Sequence, residues 1–278
     1  MKLTLKVLLS EGFTEDIVRY MMKISEEQSP EWEELYSSMS DELIFEYFDI
    51  ERKFKKEMLK EEYSNMSIRD KELKHLRGFQ YAAHNYVGLS FEEKLLEEAN
   101  TRINEKFTFF WNTESPFSQW YKCNFKGDRI YRTPQYLEGF NEEIIFSSTE
   151  QYMMYNKCLI SLDFEAAEKV LSTRNPRKQK EIGRKIKMSE EVVRTWDFFK
   201  PQIVYEGNKA KFTQNKDLLN VLLGTKGSTL VESAPDDSIW GIGLHKDDLA
   251  ANDRLTWKGK NLLGEILTKI RVEISGEY

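Results

Sequence analysis

Cysteine is scarce in this 278-residue chain. Cys123 and Cys158 are too few for a disulfide framework, and three histidines leave little for a zinc site. No apolar run approaches the roughly 20 residues that a membrane-spanning helix requires, so no membrane association is expected. The opening MKLTLKVLLSEG is interrupted by Lys6 and lacks a small-residue cleavage site, which makes it a poor secretory signal. Neither G-x-G-x-x-G nor G-x-x-x-x-G-K-[ST] occurs; Gly224–Thr–Lys–Gly227 has the composition of a phosphate loop without its spacing. H-E-x-x-H, C-x-x-C and G-x-S-x-G are missing as well. Metal hydrolysis, P-loop chemistry and triad acyl transfer are therefore unsupported, and no metal or cofactor is expected. The expectation is a globular protein of the cytoplasm.

What is present can build a core. Hydrophobic residues make up 40% and aromatics 13%, while 32% charged residues and a mean hydropathy of -0.61 indicate a polar surface. The length suits one large domain or two small ones. Charge is uneven along the chain: residues 1–104 hold 15 Lys+Arg against 22 Asp+Glu, whereas residues 105–278 hold 26 against 25. An acidic segment repels phosphate, so any nucleic-acid or phosphate contact is expected in the second part.

Residues 1–104 read as an acidic helical segment or subdomain, with helices near 14–25, from Pro30, and over 41–63. Ser67 with Asp70 and Ser90 with Glu93 form capping-box patterns opening two more. A packed helical subdomain is the favoured role, and a docking surface for a protein partner is compatible. From Glu105 the character changes. KFTFFW, GDRIYRT, EEIIFSS, STLVES and SIWGIGL read as short strands. Helices are expected over 150–160, 163–172, 176–187, 189–200 and 203–213, with a last amphipathic one in GKNLLGEILTKIRVEI. No repeated βαβ pattern appears, so residues 105–278 are expected to form a predominantly helical α+β domain.

Four segments carry candidate chemistry. Ser115–Pro–Phe–Ser–Gln–Trp–Tyr121 is either a loop folded over its own core or a cradle whose aromatic faces stack on a base. On a helix, Glu150, Met153 or Met154, and Lys157 share a face, giving a general base and an amine, or merely a charge pair separated by core methionines. Arg174, Arg177, Lys178, Lys180, Arg184, Lys185 and Lys187, opposed only by Glu181, form either a solvated face or a grip on pyrophosphate or a nucleic-acid backbone. Gly183 would admit a neighbouring backbone there. In Glu232–Ser–Ala–Pro–Asp–Asp–Ser–Ile–Trp–Gly–Ile–Gly243, Asp236 and Asp237 are turn formers, or one is a carboxylate that stabilises an oxocarbenium-like sugar.

In order, these segments resemble the YbiA-like, or NADAR domain, family over about Phe107 to Arg271, some 60% of the chain. The family's P-F-S-N-W-Y is similar to Pro116–Phe–Ser–Gln–Trp–Tyr121, and its S/A-E-H-Y-F/M helix with a following lysine is similar to Thr149–Glu–Gln–Tyr–Met153 and Lys157. Its L-G-R-x-V/I matches Ile182–Gly–Arg–Lys–Ile186, and its tryptophan-led helix resembles Trp196, Lys200, Gly207, Asn208 and Lys211–Phe–Thr–Gln–Asn215. The closing pattern is met by Glu232, Asp237, Trp240, Gly241, Gly243, Trp257, Gly259, Asn261, Leu263 and Gly264.

The resemblance implies binding of ADP-ribose-like ligands and cleavage of an N-glycosidic bond. The substrate would be ADP-ribosylated guanine in nucleic acid, opposing DNA-modifying toxins, or an early intermediate of riboflavin synthesis. A non-catalytic ADP-ribose-binding module is the third reading. Carried over residue by residue, it makes Glu150, Lys157 and Asp237 catalytic. It makes Ser115, Phe117, Ser118, Trp120, Tyr152, Arg184, Trp196, Asn215, Glu232, Trp240 and Gly241 ligand-binding. Gln119 stands where asparagine is common and Gln151 where histidine is common; a glutamine cannot shuttle protons near neutral pH.

Overall fold

The computed structural model describes Pro30 and residues 65–128 and 144–276. Helices expected over 14–25 and over 41–63 lie outside the described residues, as do all but the first residue of the helix expected from Pro30 and most of the strand expected in GDRIYRT; Pro30 itself is helical. The compact unit that contains the remainder starts at Ile68. Its elements are α1 (Ile68–His84), α2 (Phe91–Asn100), β1 (Phe107–Phe110), β2 (Phe125–Gly127), β3 (Ile144–Phe146), α3 (Thr149–Ile160), α4 (Phe164–Leu171), α5 (Pro176–Lys185), α6 (Glu190–Gln214), α7 (Lys216–Leu223), β4 (Thr229–Glu232) and α8 (Leu262–Ser275). The described part is α+β and predominantly helical. α1 and α2 pack on α6, and α2 also packs on α8. Both helices therefore belong to the same compact unit as the residues after 105.

Local chemistry starts most of these helices. Ser90 and Glu93 close the expected capping box on α2, with the Ser90 amide donating to Glu93 Oε2 at 2.8 Å. Ser148 Oγ accepts from the Gln151 amide and caps α3. Asp163, Asn175 and Ser189 do the same for α4, α5 and α6.

Every residue of α3 except Lys157 is buried. A helix enclosed on all sides needs neighbours that come close, and glycine supplies that closeness. A Cβ on Gly183 of α5 would collide with Met154 Sδ, so the group that comes near Gly183 is a side chain rather than a backbone. A Cβ on Gly207 of α6 would meet the Tyr152 ring at 2.7 Å.

Two expectations fail for identifiable reasons. The helices expected at 189–200 and 203–213 are one 25-residue helix running through buried Pro201. Proline removes one intrahelical hydrogen bond, but packing of α6 on α3, α8, α1 and α2 holds both halves in line. SIWGIGL is not a strand. Asp237 Oδ1 accepts from the Ile239 and Trp240 amides, and Gly243 sits at φ +68, so the segment turns instead. α7 was not anticipated at all.

β1 and β4 pair in parallel, Phe107 opposite Thr229 and Phe110 opposite Glu232. Below them lies a buried ion network. Fully buried Glu265 on α8 accepts from Arg102 at 2.6 Å and from Arg254 at 2.8 Å. Arg254 also grips Glu105 through two bonds of 2.7 Å. Removing one partner from such a network strands the others in a low-dielectric interior, which typically costs 3–5 kcal/mol, roughly. Glu265→Ala is therefore expected to lower unfolding free energy by about 3–5 kcal/mol in denaturant titrations, with Glu265→Gln losing less.

Candidate functional site

The C-terminal ends of β1 and β4 open into a cavity of about 620 Å³, the usual position for a ligand beside a parallel sheet. Trp111 follows β1 directly, and Glu232 ends β4; both line the cavity. From α3 come Glu150, Met153, Met154 and Lys157, the helical face expected from their spacing. Lys180 and Arg184, one turn apart on α5, and Trp196 on α6 form another wall. The 113–120 loop adds Thr113, Ser118, Gln119 and Trp120, and the 234–240 turn adds Asp236, Asp237, Ile239 and Trp240.

The loop is fixed on α3. The Gln119 carbonyl accepts from the Glu150 amide at 3.0 Å and from Thr149 Oγ1 at 3.1 Å. Gln119 Oε1 accepts from Asn208 Nδ2 at 2.9 Å, which leaves its amino group beside Met153. Beneath, fully buried Lys211 donates to the Ser118 carbonyl at 3.0 Å and lies over the Tyr121 and Phe212 rings. Burial pushes the Lys211 ammonium down to about 8. Lys180 Nζ sits 5.5 Å from the Trp120 ring, and Lys157 Nζ 5.6 Å from the Trp196 ring, both in cation–π geometry.

Electrostatics single out two carboxyls. Burial pushes Glu150 up to about 7, and the Asp237 charge adds to this; Lys180, a hydrogen bond from Trp120, and Arg184 pull the other way. Glu232 is pushed up to about 8 by burial and then by the charges of Asp237 and Glu150, with Lys180 opposing. Burial holds Lys157 below the usual lysine range; its amine donates to the Gly183 carbonyl at 2.9 Å. Two acids and an amine thus titrate nearer to neutrality than they would in water, a common signature of a reactive site.

Of the residues carried over from the resemblance, the structure brings Glu150, Lys157, Asp237, Ser118, Trp120, Arg184, Trp196, Glu232 and Trp240 to the cavity wall. Five others lie elsewhere. Ser115 Oγ accepts from the Phe117 amide at 3.4 Å within the turn. Phe117 packs against Phe110 and Phe212 in the core. Tyr152 is buried edge-on against Phe146. Asn215 donates to the Asn124 and Lys211 carbonyls at the end of α6. Gly241 underlies β4, where a Cβ would meet the Glu232 carbonyl at 2.8 Å. Ser118 Oγ is engaged by the Trp120 amide.

Gln151 lies apart from the chemistry. Its Oε1 accepts from the Ser147 amide and hydroxyl, and its Nε2 donates to the carbonyls of Val170 and Thr173, both at 3.0 Å. It clamps the start of α3 to the end of α4. The position where the resemblance has histidine therefore lies outside the cavity lining. Trp111 and Thr113 line the cavity but stand outside the candidate residues. An aromatic just after a strand was the available signal for Trp111.

The Glu150 shift carries a stability consequence. Between the unfolded value of 4.5 and about 7, the folded protein keeps a proton that the unfolded chain gives up, so stability falls as pH rises through that window. A shift of this size corresponds to about 3 kcal/mol. Glu150→Gln cannot ionise, so it is expected to exceed the wild type in stability at pH 8 by up to about 3 kcal/mol, with no advantage at pH 4. Calorimetric Tm values at the two pH values check this; an equal difference at both would contradict it.

The family model of the NADAR domain matches residues 109–275. The chain is 37% identical to Protein irg-1 of Caenorhabditis elegans over 179 residues, covering 64% of this chain and 83% of that protein. It is 39% identical to N-glycosidase R617 of Acanthamoeba polyphaga mimivirus over 175 residues, 61% of this chain and 96% of that one. N-glycosidase YbiA of Escherichia coli (strain K12) is 29% identical over 130 residues, 47% of this chain and 71% of its own. The NMR structure of the E. coli protein YbiA superposes with a TM-score of 0.46 at 23% identity, covering 63% of this chain and 89% of that one. With the family model spanning more than half of its length, the chain belongs to the NADAR domain family.

Proposed function

We propose that the cavity binds ADP-ribose attached to a guanine base of nucleic acid and hydrolyses the N-glycosidic bond, reversing the modification. The chain is an N-glycosyl hydrolase, as are the relatives named N-glycosidase. The observation that carries the reading is Glu150, a buried carboxyl pushed up to about 7 in a cavity that also offers Lys180 and Arg184. A group titrating near the working pH can take a proton from water and return it with little penalty either way. Lys180 and Arg184 suit the two phosphates of ADP-ribose, and Trp120, Trp196 and Trp240 offer faces for its rings. The volume falls in the range of small-ligand sites.

In this mechanism Glu150 accepts a proton from the water that attacks the anomeric carbon. The negative charge of Asp237 offsets the positive charge that develops on the sugar, while one of its oxygens holds the turn that places Trp240. The sugar released by water attack opens to its aldehyde, and Lys157 captures that aldehyde reversibly as a Schiff base with loss of water. Hydrolysis of the imine by water then frees the sugar and the amine. The capture is favoured in a lysine whose ammonium is destabilised by burial. Exposed Arg177, Lys178 and Lys185 on α5, the helix that also carries Lys180 and Arg184, favour a polyanion over a single nucleotide.

The decisive assay is ADP-ribose release from a guanine-ADP-ribosylated DNA oligonucleotide. The wild type is expected to release it and Glu150→Ala to lose at least about a hundredfold in rate. Wild-type inactivity there, with turnover of an early riboflavin-pathway intermediate, would replace the substrate. Tight ADP-ribose binding without turnover of either would make this a binding module. Borohydride added during turnover is expected to trap a sugar on Lys157. Absence of the adduct, with Lys157→Ala still active, would remove the Schiff base from the mechanism.

A further inference from the structure

Glu232 is a second acid in the cavity whose chemistry the mechanism above does not use. Its backbone is held at both ends. The amide donates to Asn261 Oδ1 at 2.9 Å, and the carbonyl accepts from the Ile242 amide at 2.9 Å. Gly241 packs directly on that carbonyl, at a spacing that a Cβ would close. The strand end therefore presents the carboxyl to the cavity from a rigid mount. Its Oε2 is buried and makes no hydrogen bond among the described residues.

A buried carboxyl oxygen without a partner destabilises the fold by itself, and such a group in a native protein calls for an explanation, a catalytic role being one. The charged groups around it are Asp237 on the adjoining turn, Glu150 on α3 and Lys180 on α5, with Lys157 and Arg184 also on the cavity wall. The two acids favour the neutral form of Glu232, and Lys180 only partly offsets them. A carboxyl kept neutral by desolvation and by neighbouring carboxylates is a proton donor.

We propose that Glu232 is the general acid of the reaction, giving its proton to the nitrogen of the departing base. As the bond from the anomeric carbon to nitrogen breaks, its electron pair goes to nitrogen, which takes the Glu232 proton. Water oxygen bonds to the anomeric carbon, and the proton of that water goes to Glu150. After product release, Glu150 returns a proton to solvent and Glu232 regains one. This role rests on the hydrolase reading above. It assigns the two raised carboxyls opposite tasks, with Glu150 ionised and Glu232 protonated in the productive state.

The test is the pH dependence of kcat and KM for wild type, Glu232→Gln and Glu232→Asp on the ADP-ribosylated oligonucleotide. The wild type is expected to show a narrow bell, with a rising limb near 7 from Glu150 and a falling limb near 8 from Glu232. Glu232→Gln keeps a hydrogen-bond donor but cannot give up a proton. It is expected to lose about a hundredfold or more in kcat together with the falling limb, while KM changes less than tenfold. Glu232→Asp is expected to restore part of kcat and the limb. Glu232→Gln retaining kcat within threefold, or losing kcat with the falling limb unchanged, would overturn the assignment while leaving the hydrolase intact. A folded wild type inert towards both substrate classes would instead overturn the hydrolase reading, and this role with it.

Discussion

The enclosure of α3 is the constraint from which the rest of the site follows. A helix buried on all sides must satisfy its polar groups internally, because water cannot reach them. Gln151 and Asn156 meet that demand through hydrogen bonds to neighbouring carbonyls. Glu150 meets it less completely. Its carboxyl turns to the cavity and favours the protonated form, which is the penalty of removing a charge from water. The same burial that stabilises the domain thus raises the Glu150 carboxyl towards neutrality. Only Lys157 escapes full burial, so the amine remains open to the cavity.

The cavity is assembled from parts distant along the chain. Trp111 and Glu232 arrive at the ends of two parallel strands, Trp120 on a loop bonded to the α3 N-terminus, and Trp196 from the long α6. The loop and β4 are held from outside the cavity lining, by Lys211 beneath the loop and Asn261 beneath β4, while Asp237 on the cavity wall holds the turn that carries Trp240. Such supports keep reactive groups in place while the low dielectric between them strengthens every charge interaction. The Arg102–Glu265–Arg254–Glu105 network anchors the base of the same two strands. Carboxyls raised towards neutrality at one end of the sheet contrast with ion-paired carboxyls at the other. The difference is whether a guanidinium lies within hydrogen-bond reach.

Much of this was legible in the sequence, and the illegible parts have common causes. The Ser90–Glu93 box is a local code of four residues, and it stands in the fold as the spacing predicts. The face shared by Glu150 and Lys157 follows from helical spacing alone. Asp237 was readable as a turn former, and it is one, though its turn replaces the expected strand. Within Ser115–Tyr121 the pattern could not say that Phe117 turns into the core while Trp120 turns to the cavity. That choice depends on Phe110 and Phe212, which come from elements far along the chain. The break expected near Pro201 did not occur, because four neighbouring helices outweigh one lost hydrogen bond.

By itself, the sequence determined most helix starts among the described residues, the predominantly helical α+β class and the family, because these depend on short-range chemistry and on the order of motifs. The tertiary structure decided which polar residues serve packing and which face the cavity. Gln151 and Tyr152 adjoin Glu150 on the same helix, yet both are committed to the core. It also decided that Glu150 and Glu232, identical side chains 82 positions apart, line one cavity. Charge state depends on distance and desolvation, and neither quantity is written in residue order.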